Sequence, residues 1–152
     1  MGDVMNILFF LIPKNKVAYL YDDFTLRQAL EKMEHHKYSA IPVLSRDGKY
    51  VGTITEGDIL WEIKNNHSPS LKSSETTSIT SITRKQDFSP VNAHADMESL
   101  IQKAMNQNFV PVTDDWGSFI GIITRKDIIE FCYNHSDLSK AKSENTLLKQ
   151  AN

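Results

Sequence analysis

The chain has 152 residues, of which 40% are hydrophobic and 24% are charged, and its net charge at pH 7 is −2. This length suffices for one compact body with a buried core, and the slightly acidic balance excludes a nucleic-acid-binding domain built on a basic face. The single cysteine, Cys132, excludes an intramolecular disulfide framework and predicts a reducing, cytoplasmic location.

The most apolar run of the chain, residues 7–12, lies close to its N-terminus. It is far shorter than a membrane helix, which needs about 20 apolar residues. Asp3 stands where a signal peptide requires positive charge, and Asn6 stands where a myristoylation signal requires serine or threonine. We therefore expect this run to belong to the protein core and expect no membrane association.

The first predicted helix begins at Leu26. Thr25 and Gln28 have the spacing of a capping box, and apolar residues follow at helical intervals. Residues 40–44 and 50–55 are short and apolar, and a glycine-containing turn separates them, so they predict a β-hairpin. A second apolar helix follows the hairpin.

The same order of elements occurs a second time. Residues 52–60 (GTITEGDIL) return 69 positions later as residues 121–129 (GIITRKDII), and the Pro-Val pair at 42–43 returns at 111–112. The first helix of the second copy has Asp96 as its predicted cap, 71 positions after Thr25. A repeat of this length indicates two copies of one supersecondary unit.

We therefore predict an α/β fold of the α+β type, with two βαββα repeats packed with pseudo-two-fold symmetry. Each repeat alone is marginal in size, so the two are expected to share a core. The predicted bounds are 1–64 for the first repeat with its apolar lead-in, 65–78 for a polar linker, 79–135 for the second repeat and 136–152 for a polar tail.

Two local features carry further expectations. Cys132 aligns with the apolar Ile63 of the first repeat, which predicts a buried packing residue and not a nucleophile. The polar tail is compatible with a docked helix and with a disordered segment.

The chain resembles a tandem pair of CBS domains, also called a Bateman module, over about residues 7–134. Residues 40–43 with 52–58, and residues 109–112 with 121–127, carry the resemblance. It implies a regulatory module and not an enzyme, with no required cofactor. The implied ligand is an adenine nucleotide or dinucleotide (AMP, ADP, ATP, S-adenosylmethionine or cyclic di-AMP). The resemblance also implies a homodimer that signals to a protein effector.

The resemblance further implies which residues bind the ligand. The two Thr-x-x-Asp motifs would contact the ribose, Arg125 would face a phosphate, and the adenine would lie against the lead-ins and first strands of the hairpins. The predicted site residues are Thr55, Asp58, Thr124, Arg125, Asp127, Lys16, Ala18, Ala40, Pro42, Ser89, Phe109 and Pro111.

The first motif has Glu56 and Gly57 where the second has Arg125 and Lys126. A carboxylate in place of a cation disfavours a phosphate, so we expect the second motif to be the better site. The chemistry of the motif is compatible with two roles. A carboxylate can accept hydrogen bonds from both hydroxyls of a ribose. A threonine followed three residues later by aspartate is also a helix cap, which binds nothing.

No pattern of nucleophile, base and orienting residue is present in the sequence, nor is a phosphate-cradling glycine loop or a metal-ligand spacing. The sequence therefore indicates a binding function without catalytic or metal residues. The alternative that we retain is a dimeric scaffold that binds no ligand.

Overall fold

The computed structural model describes residues 5–65, 71–85 and 87–150. The first half contains β1 (Ile12–Pro13), β2 (Leu20–Tyr21), α1 (Leu26–His36), β3 (Ala40–Leu44), β4 (Tyr50–Thr55) and α2 (Glu56–Asn65). The short helix α3 (Leu71–Ser74) lies between the repeats. The second half contains β5 (Val91–Asn92), α4 (Met97–Ala104), β6 (Phe109–Thr113), β7 (Phe119–Thr124), α5 (Arg125–Asn134) and α6 (Asp137–Gln150). Short 3₁₀ helices lie at Ile7–Phe10, Lys14–Lys16 and Ile79–Ser81. The predicted α+β class is confirmed.

The strands form two sheets of related topology, with the orders β2-β3-β4 and β1-β7-β6-β5. In the first repeat β2 is parallel to β3, and β3 and β4 form an antiparallel hairpin. In the second repeat β5 is parallel to β6, and β6 and β7 form the corresponding hairpin. The predicted caps begin the first helix of each repeat. Thr25 and Gln28 form a complete capping box, and the Asp96 carboxylate accepts the Ser99 N–H at 2.8 Å.

Each repeat begins with a lead-in ahead of its first parallel strand, residues 7–19 before β2 and residues 79–90 before β5, and the two lead-ins are exchanged between the repeats. β1 pairs antiparallel with β7 of the second repeat, where Ile12 lies opposite Ile122, and Ile7 is fully buried in the core of that repeat. Ile79 and Ile82, which precede the second repeat, are buried in the core of the first. Each core is therefore completed by chain from the other half.

A pseudo-two-fold axis relates the repeats and passes between the hairpin turns. The Tyr50 N–H donates to the Gly117 carbonyl at 3.2 Å, and the equivalent Phe119 N–H donates to the Gly48 carbonyl at 2.9 Å. Beneath this contact lies a third cluster of buried residues drawn from both repeats, which confirms the shared core: Val17, Ala40, Leu44, Phe88, Phe109, Phe119 and Ile122.

Two expectations need correction or completion. The prediction that Cys132 is buried was wrong, because the side chain lies on the outward face of α5 and is exposed; its counterpart Ile63 is also 36% exposed. The tail forms the helix α6 from Asp137 to Gln150. Within the predicted linker, Leu71–Ser74 is helical, and residues 66–70 lie outside the described residues.

Among the helices that the structure describes, none combines the length and the apolar character needed to cross a membrane.

Candidate functional site

Both Thr-x-x-Asp motifs lie where the last strand of a repeat continues into its second helix. The Asp58 N–H donates to Thr55 Oγ1 at 3.1 Å, and Asp58 Oδ2 accepts the Thr55 N–H at 3.0 Å. In the second motif, Thr124 Oγ1 accepts the Asp127 N–H at 3.2 Å. Both motifs therefore cap helices. A ligand contact also requires open space beside the motif, and in this respect the two motifs differ.

A cleft of about 370 Å³, which we call the open cleft, lies beside the second motif and between the repeats. Five predicted site residues line it: Lys16 of the first lead-in, Ala40 and Pro42 of β3, Phe109 of β6 and Thr124 at the end of β7. The other lining residues are Ile12, Val17, Lys37, Tyr38, Ser39, Asn108 and Ile122. The wall is thus largely apolar, with a threonine hydroxyl and two lysines.

The charges that line the open cleft favour an anion. Lys16 and Lys37 are part of its wall, and the described lining residues include no aspartate or glutamate. Lys37 has a left-handed backbone (φ 59°), unlike every other described residue except glycines. Glycine or asparagine is usual at this position after a helix, and other residues are mildly strained there. Our sequence reasoning missed Lys37, although a lysine directly after a predicted helix was a visible signal.

Arg125 and Asp127 are not among the residues that line the open cleft. The Arg125 Nε–H donates to the carbonyls of Ala104 at 2.7 Å and Gln107 at 3.0 Å, so it satisfies one backbone carbonyl in the last turn of α4 and one just after the helix. Asp127 lines an adjacent depression, and Ile12 belongs to the walls of both cavities. The cationic side chains that line the open cleft are therefore Lys16 and Lys37, and not Arg125.

Side chains occupy part of the equivalent region beside the first motif, which we call the closed cleft; its residues Asp87, Ser89 and Gln107 also line a depression of about 420 Å³. Asp87 takes the place of Lys16, Thr53 that of Ile122, and Gln107 that of Tyr38. The Thr53 N–H donates to Asp87 Oδ1 at 3.0 Å, and Gln107 is only 5% exposed. The predicted ligand space beside Thr55 therefore holds side chains.

The Asp58 carboxylate is also engaged within the closed cleft. It is 4% exposed, and its Oδ1 accepts the Lys85 N–H at 3.2 Å in addition to the capping bond at Oδ2. Nearby, the Tyr50 hydroxyl donates to the Phe88 carbonyl at 2.6 Å and accepts from the Thr53 hydroxyl at 2.7 Å. Burial of this hydroxyl raises the pKa of Tyr50 well above its usual range.

The remaining predicted residues are Ala18, Ser89 and Pro111. Ala18 is partly buried against the core of the first repeat. Ser89, its counterpart 71 residues later, is bonded through its backbone to Gln107 in the closed cleft. Pro111 is a buried residue of β6. The structure therefore gathers five of the predicted residues around the open cleft, and Thr55, Asp58 and Ser89 lie at the closed cleft instead.

A family model described as "CBS domain" matches residues 4–65 and 79–134, which together make up most of the chain. The chain belongs to the CBS domain family. The two matches confirm that it is a tandem CBS pair. Among the described residues, no three or more His, Cys, Asp or Glu side chains are grouped so that they could hold a metal ion.

Known proteins resemble the chain in sequence and structure. An uncharacterised protein of Methanocaldococcus jannaschii is 29% identical over 143 residues, covering 76% of this chain and 85% of the relative. The crystal structure of CbpB in complex with c-di-AMP has a TM-score of 0.76 and 27% identity, covering 93% of this chain and 91% of that one. A CBS domain protein from Streptococcus pneumoniae TIGR4 has a TM-score of 0.75 and 29% identity, covering 84% and 88%.

Proposed function

We propose that this CBS pair is a regulatory module that binds an adenosine-containing nucleotide in the open cleft and signals its presence to a protein partner. The observation that carries the proposal is the lining of that cleft, where apolar walls from both repeats meet the Thr124 hydroxyl and the two lysines. Apolar walls suit a purine, a hydroxyl suits a ribose, and ammonium groups suit a phosphate. The c-di-AMP complex of the similar CbpB supports the same ligand class.

The ligand is tested by thermal denaturation with AMP, ADP, ATP, S-adenosylmethionine and cyclic di-AMP. A ligand present at 100 times its dissociation constant should stabilise the protein by about 2.7 kcal/mol. Lys16→Ala should weaken binding of the responding nucleotide, and Lys140→Ala, which removes an exposed lysine of α6 that does not line the cleft, should leave it unchanged. Equal weakening by both variants would contradict the assignment of Lys16.

The second candidate function is a scaffold that binds no ligand. The hydrogen bonds by which Thr55 and Thr124 cap their helices favour it, because these bonds alone account for both threonines. The absence of any thermal shift with the five nucleotides would support the scaffold. We propose no catalytic activity, and chromatography after incubation should recover each nucleotide unchanged.

We also propose that the protein is a homodimer in the cytoplasm, paired through the outward helix faces. Leu60 of α2 and its counterpart Ile129 of α5 are each 59% exposed, and Met105 is 70% exposed. A groove of about 550 Å³ continues this apolar face between α4, α5 and α6. Ile129→Asp should convert a dimer into a monomer in light scattering after size-exclusion chromatography. A wild-type protein that is monomeric would contradict the proposal.

Signalling would follow from the position of the open cleft between the repeats. Ala40 belongs to the first repeat and Phe109 and Thr124 to the second, so a ligand that touches all three binds more tightly to one arrangement of the repeats than to others. Only such differential affinity can shift a conformational equilibrium. Hydrogen exchange in α2 and α5 should slow on addition of the ligand; unchanged exchange outside the cleft would contradict signalling through the helices.

A further inference from the structure

A cavity of about 420 Å³ adjoins the open cleft, and we call it the acidic depression. It lies between the start of the first lead-in and α5, and Ile12 belongs to its wall as well as to the wall of the open cleft. Aromatic rings of both elements line it, together with the carboxylates of Asp127 and Glu130. None of its described lining residues is a lysine, arginine or histidine, so the charge of the depression is negative.

The two carboxylates have no cationic partner within the described part of the chain. Neither Asp127 nor Glu130 forms a salt bridge with a described lysine, arginine or histidine, and Glu130 is exposed. The carboxylate of Asp58, the counterpart of Asp127, accepts two backbone N–H groups, whereas that of Asp127 accepts no hydrogen bond from a described residue. Because Asp127 and Glu130 are three residues apart on a helix, one incoming cation can lie close to both.

The apolar part of the depression consists of one supported wall and one exposed ring. Phe10 contacts Phe131 edge-on, with ring centroids 5.1 Å apart, and this contact packs the lead-in against α5. Phe9 is 84% exposed, and Met5 and Leu8 of the same segment are each 37% exposed. Aromatic residues and methionine are enriched at protein interfaces, so a protein partner suits this surface better than a small ligand.

The combination of rings and carboxylates fits a cationic side chain with an aliphatic stem. A guanidinium or ammonium group forms charge-assisted hydrogen bonds with carboxylates and is attracted to the face of an aromatic ring. The stem of such a side chain packs on apolar surface. A phosphate, in contrast, is repelled by the two carboxylates.

The first repeat has no equivalent of this surface among its described residues. The 3₁₀ helix Ile7–Phe10 contains two phenylalanines, whereas Ile79–Ser81, at the start of the other lead-in, contains no aromatic residue. The counterpart of Glu130 is Trp61, and the Lys85 ammonium lies 4.7 Å from the centroid of its ring. The acidic depression therefore occurs once per chain, beside the open cleft.

We propose that the acidic depression is the docking surface for the protein effector and receives an arginine or lysine side chain flanked by apolar residues. The inference rests on the proposed function and names the surface that passes on the ligand state. Thr124 lines the open cleft, and its Oγ1 accepts the N–H of Asp127, which lines the depression. A ligand that displaces Thr124 or Ile12 thereby alters the depression.

The test is a nuclear magnetic resonance titration of the isotope-labelled full chain with two capped peptides, Leu-Arg-Leu and its uncharged match Leu-Gln-Leu. The arginine peptide should shift the amide signals of Phe9, Glu130 and Asn134 and bind about fivefold more tightly than the glutamine peptide. Glu130→Gln should abolish this preference. Glu98→Gln, the same change at an exposed glutamate of α4 outside the depression, should retain it. Phe9→Ser should weaken binding of both peptides.

The outcomes separate this inference from the proposed function. Equal affinities of the wild type for the two peptides overturn the docking surface, as does a preference that Glu130→Gln retains or a set of shifted signals elsewhere in the chain. A wild type that prefers the arginine peptide but shows no thermal shift with any nucleotide contradicts the proposed function and still supports the surface. Saturation with the responding nucleotide should change the affinity for the arginine peptide, and an unchanged affinity overturns the link between the two cavities.

Discussion

The two motif carboxylates have different surroundings, and their removal should separate stability from binding. Asp58 is buried and accepts backbone N–H groups from Thr55 and Lys85, whereas Asp127 is partly exposed. Asp58→Ala leaves two partly buried N–H donors without this partner and should lower the free energy of unfolding by about 2 kcal/mol. Asp127→Ala should lower it by about 1 kcal/mol or less. Urea denaturation measures both values.

Binding should show the opposite order. We expect Asp127→Ala to weaken binding of the nucleotide, because the Asp127 N–H donates to Thr124, which lines the open cleft, and Asp127 itself lines the adjacent depression. We expect Asp58→Asn to leave the affinity unchanged. The asparagine retains one side-chain acceptor, which limits the loss of stability. If Asp127→Ala loses stability alone and binds normally, Asp127 acts as a cap and not as a ligand contact.

Tyr50 makes the stability depend on pH in the alkaline range. Burial raises the pKa of its hydroxyl above the ordinary value of about 10, so the folded state retains a proton that the unfolded state releases. The free energy of unfolding should therefore fall as the pH rises above about 10. Tyr50→Phe should show a smaller fall, measured by urea denaturation between pH 8 and 11.

The same variant should be less stable at neutral pH, because the Phe88 carbonyl loses its donor. The expected cost is about 1–3 kcal/mol. A Tyr50→Phe protein with wild-type stability and an unchanged pH profile would show that the hydroxyl is hydrated and not buried.

At the scale of the elements, the contact between β1 and β7 depends on Gly121. A Cβ at this position would lie 2.2 Å from the Ile12 carbonyl oxygen, and this backbone atom cannot withdraw without breaking the strand pair. Gly52, its counterpart, approaches the Arg84 and Asp87 side chains instead. Gly121→Ala should therefore cost about 3 kcal/mol and Gly52→Ala about 1 kcal/mol in thermal denaturation. Equal costs would mean that β1 is loosely held.

The sequence predicted the elements well because each has a local cause. The capping residues Thr25 and Asp96 begin α1 and α4, and the returning Pro-Val pairs lie in β3 and β6 as expected. The exchange of the lead-ins was not predicted, because strand pairing between residues far apart leaves no local signal in one sequence. The prediction that Cys132 is buried failed for a related reason, because an apolar helix face can pack against the protein core or against a second subunit, and the sequence does not distinguish the two.

The candidate site was predicted in part. The repeat located Thr124 and the adjoining strands, and the expectation that the second motif is the better site remains a prediction. The reason that we gave for it has changed, because Arg125 bonds backbone carbonyls and does not line the open cleft. The difference between the two clefts rests on Asp87 and Gln107, whose side chains lie beside the first motif. Their contacts depend on the three-dimensional packing and cannot be predicted from the order of residues.

At the scale of the whole molecule, the exchanged lead-ins should make unfolding a single transition. Ile7 completes the second core and Ile79 the first, so neither repeat retains its core when the other unfolds. One tryptophan lies in each repeat, Trp61 in α2 and Trp116 before β7. Trp116→Phe and Trp61→Phe each retain one tryptophan as a fluorescence reporter. The midpoints of urea unfolding measured by fluorescence should coincide with the midpoint measured by circular dichroism. Separate midpoints would contradict the coupling.

The exchange also has a consequence during synthesis of the chain. β1 leaves the ribosome about 110 residues before its pairing partner Ile122. The core of the first repeat cannot be completed until Ile79 and Ile82 have also been synthesised. Residues 7–12 are the most apolar run of the chain, and they stay without their native partners throughout this interval. The nascent chain therefore exposes an apolar segment to the cell while the roughly 110 residues up to its partner strand are synthesised.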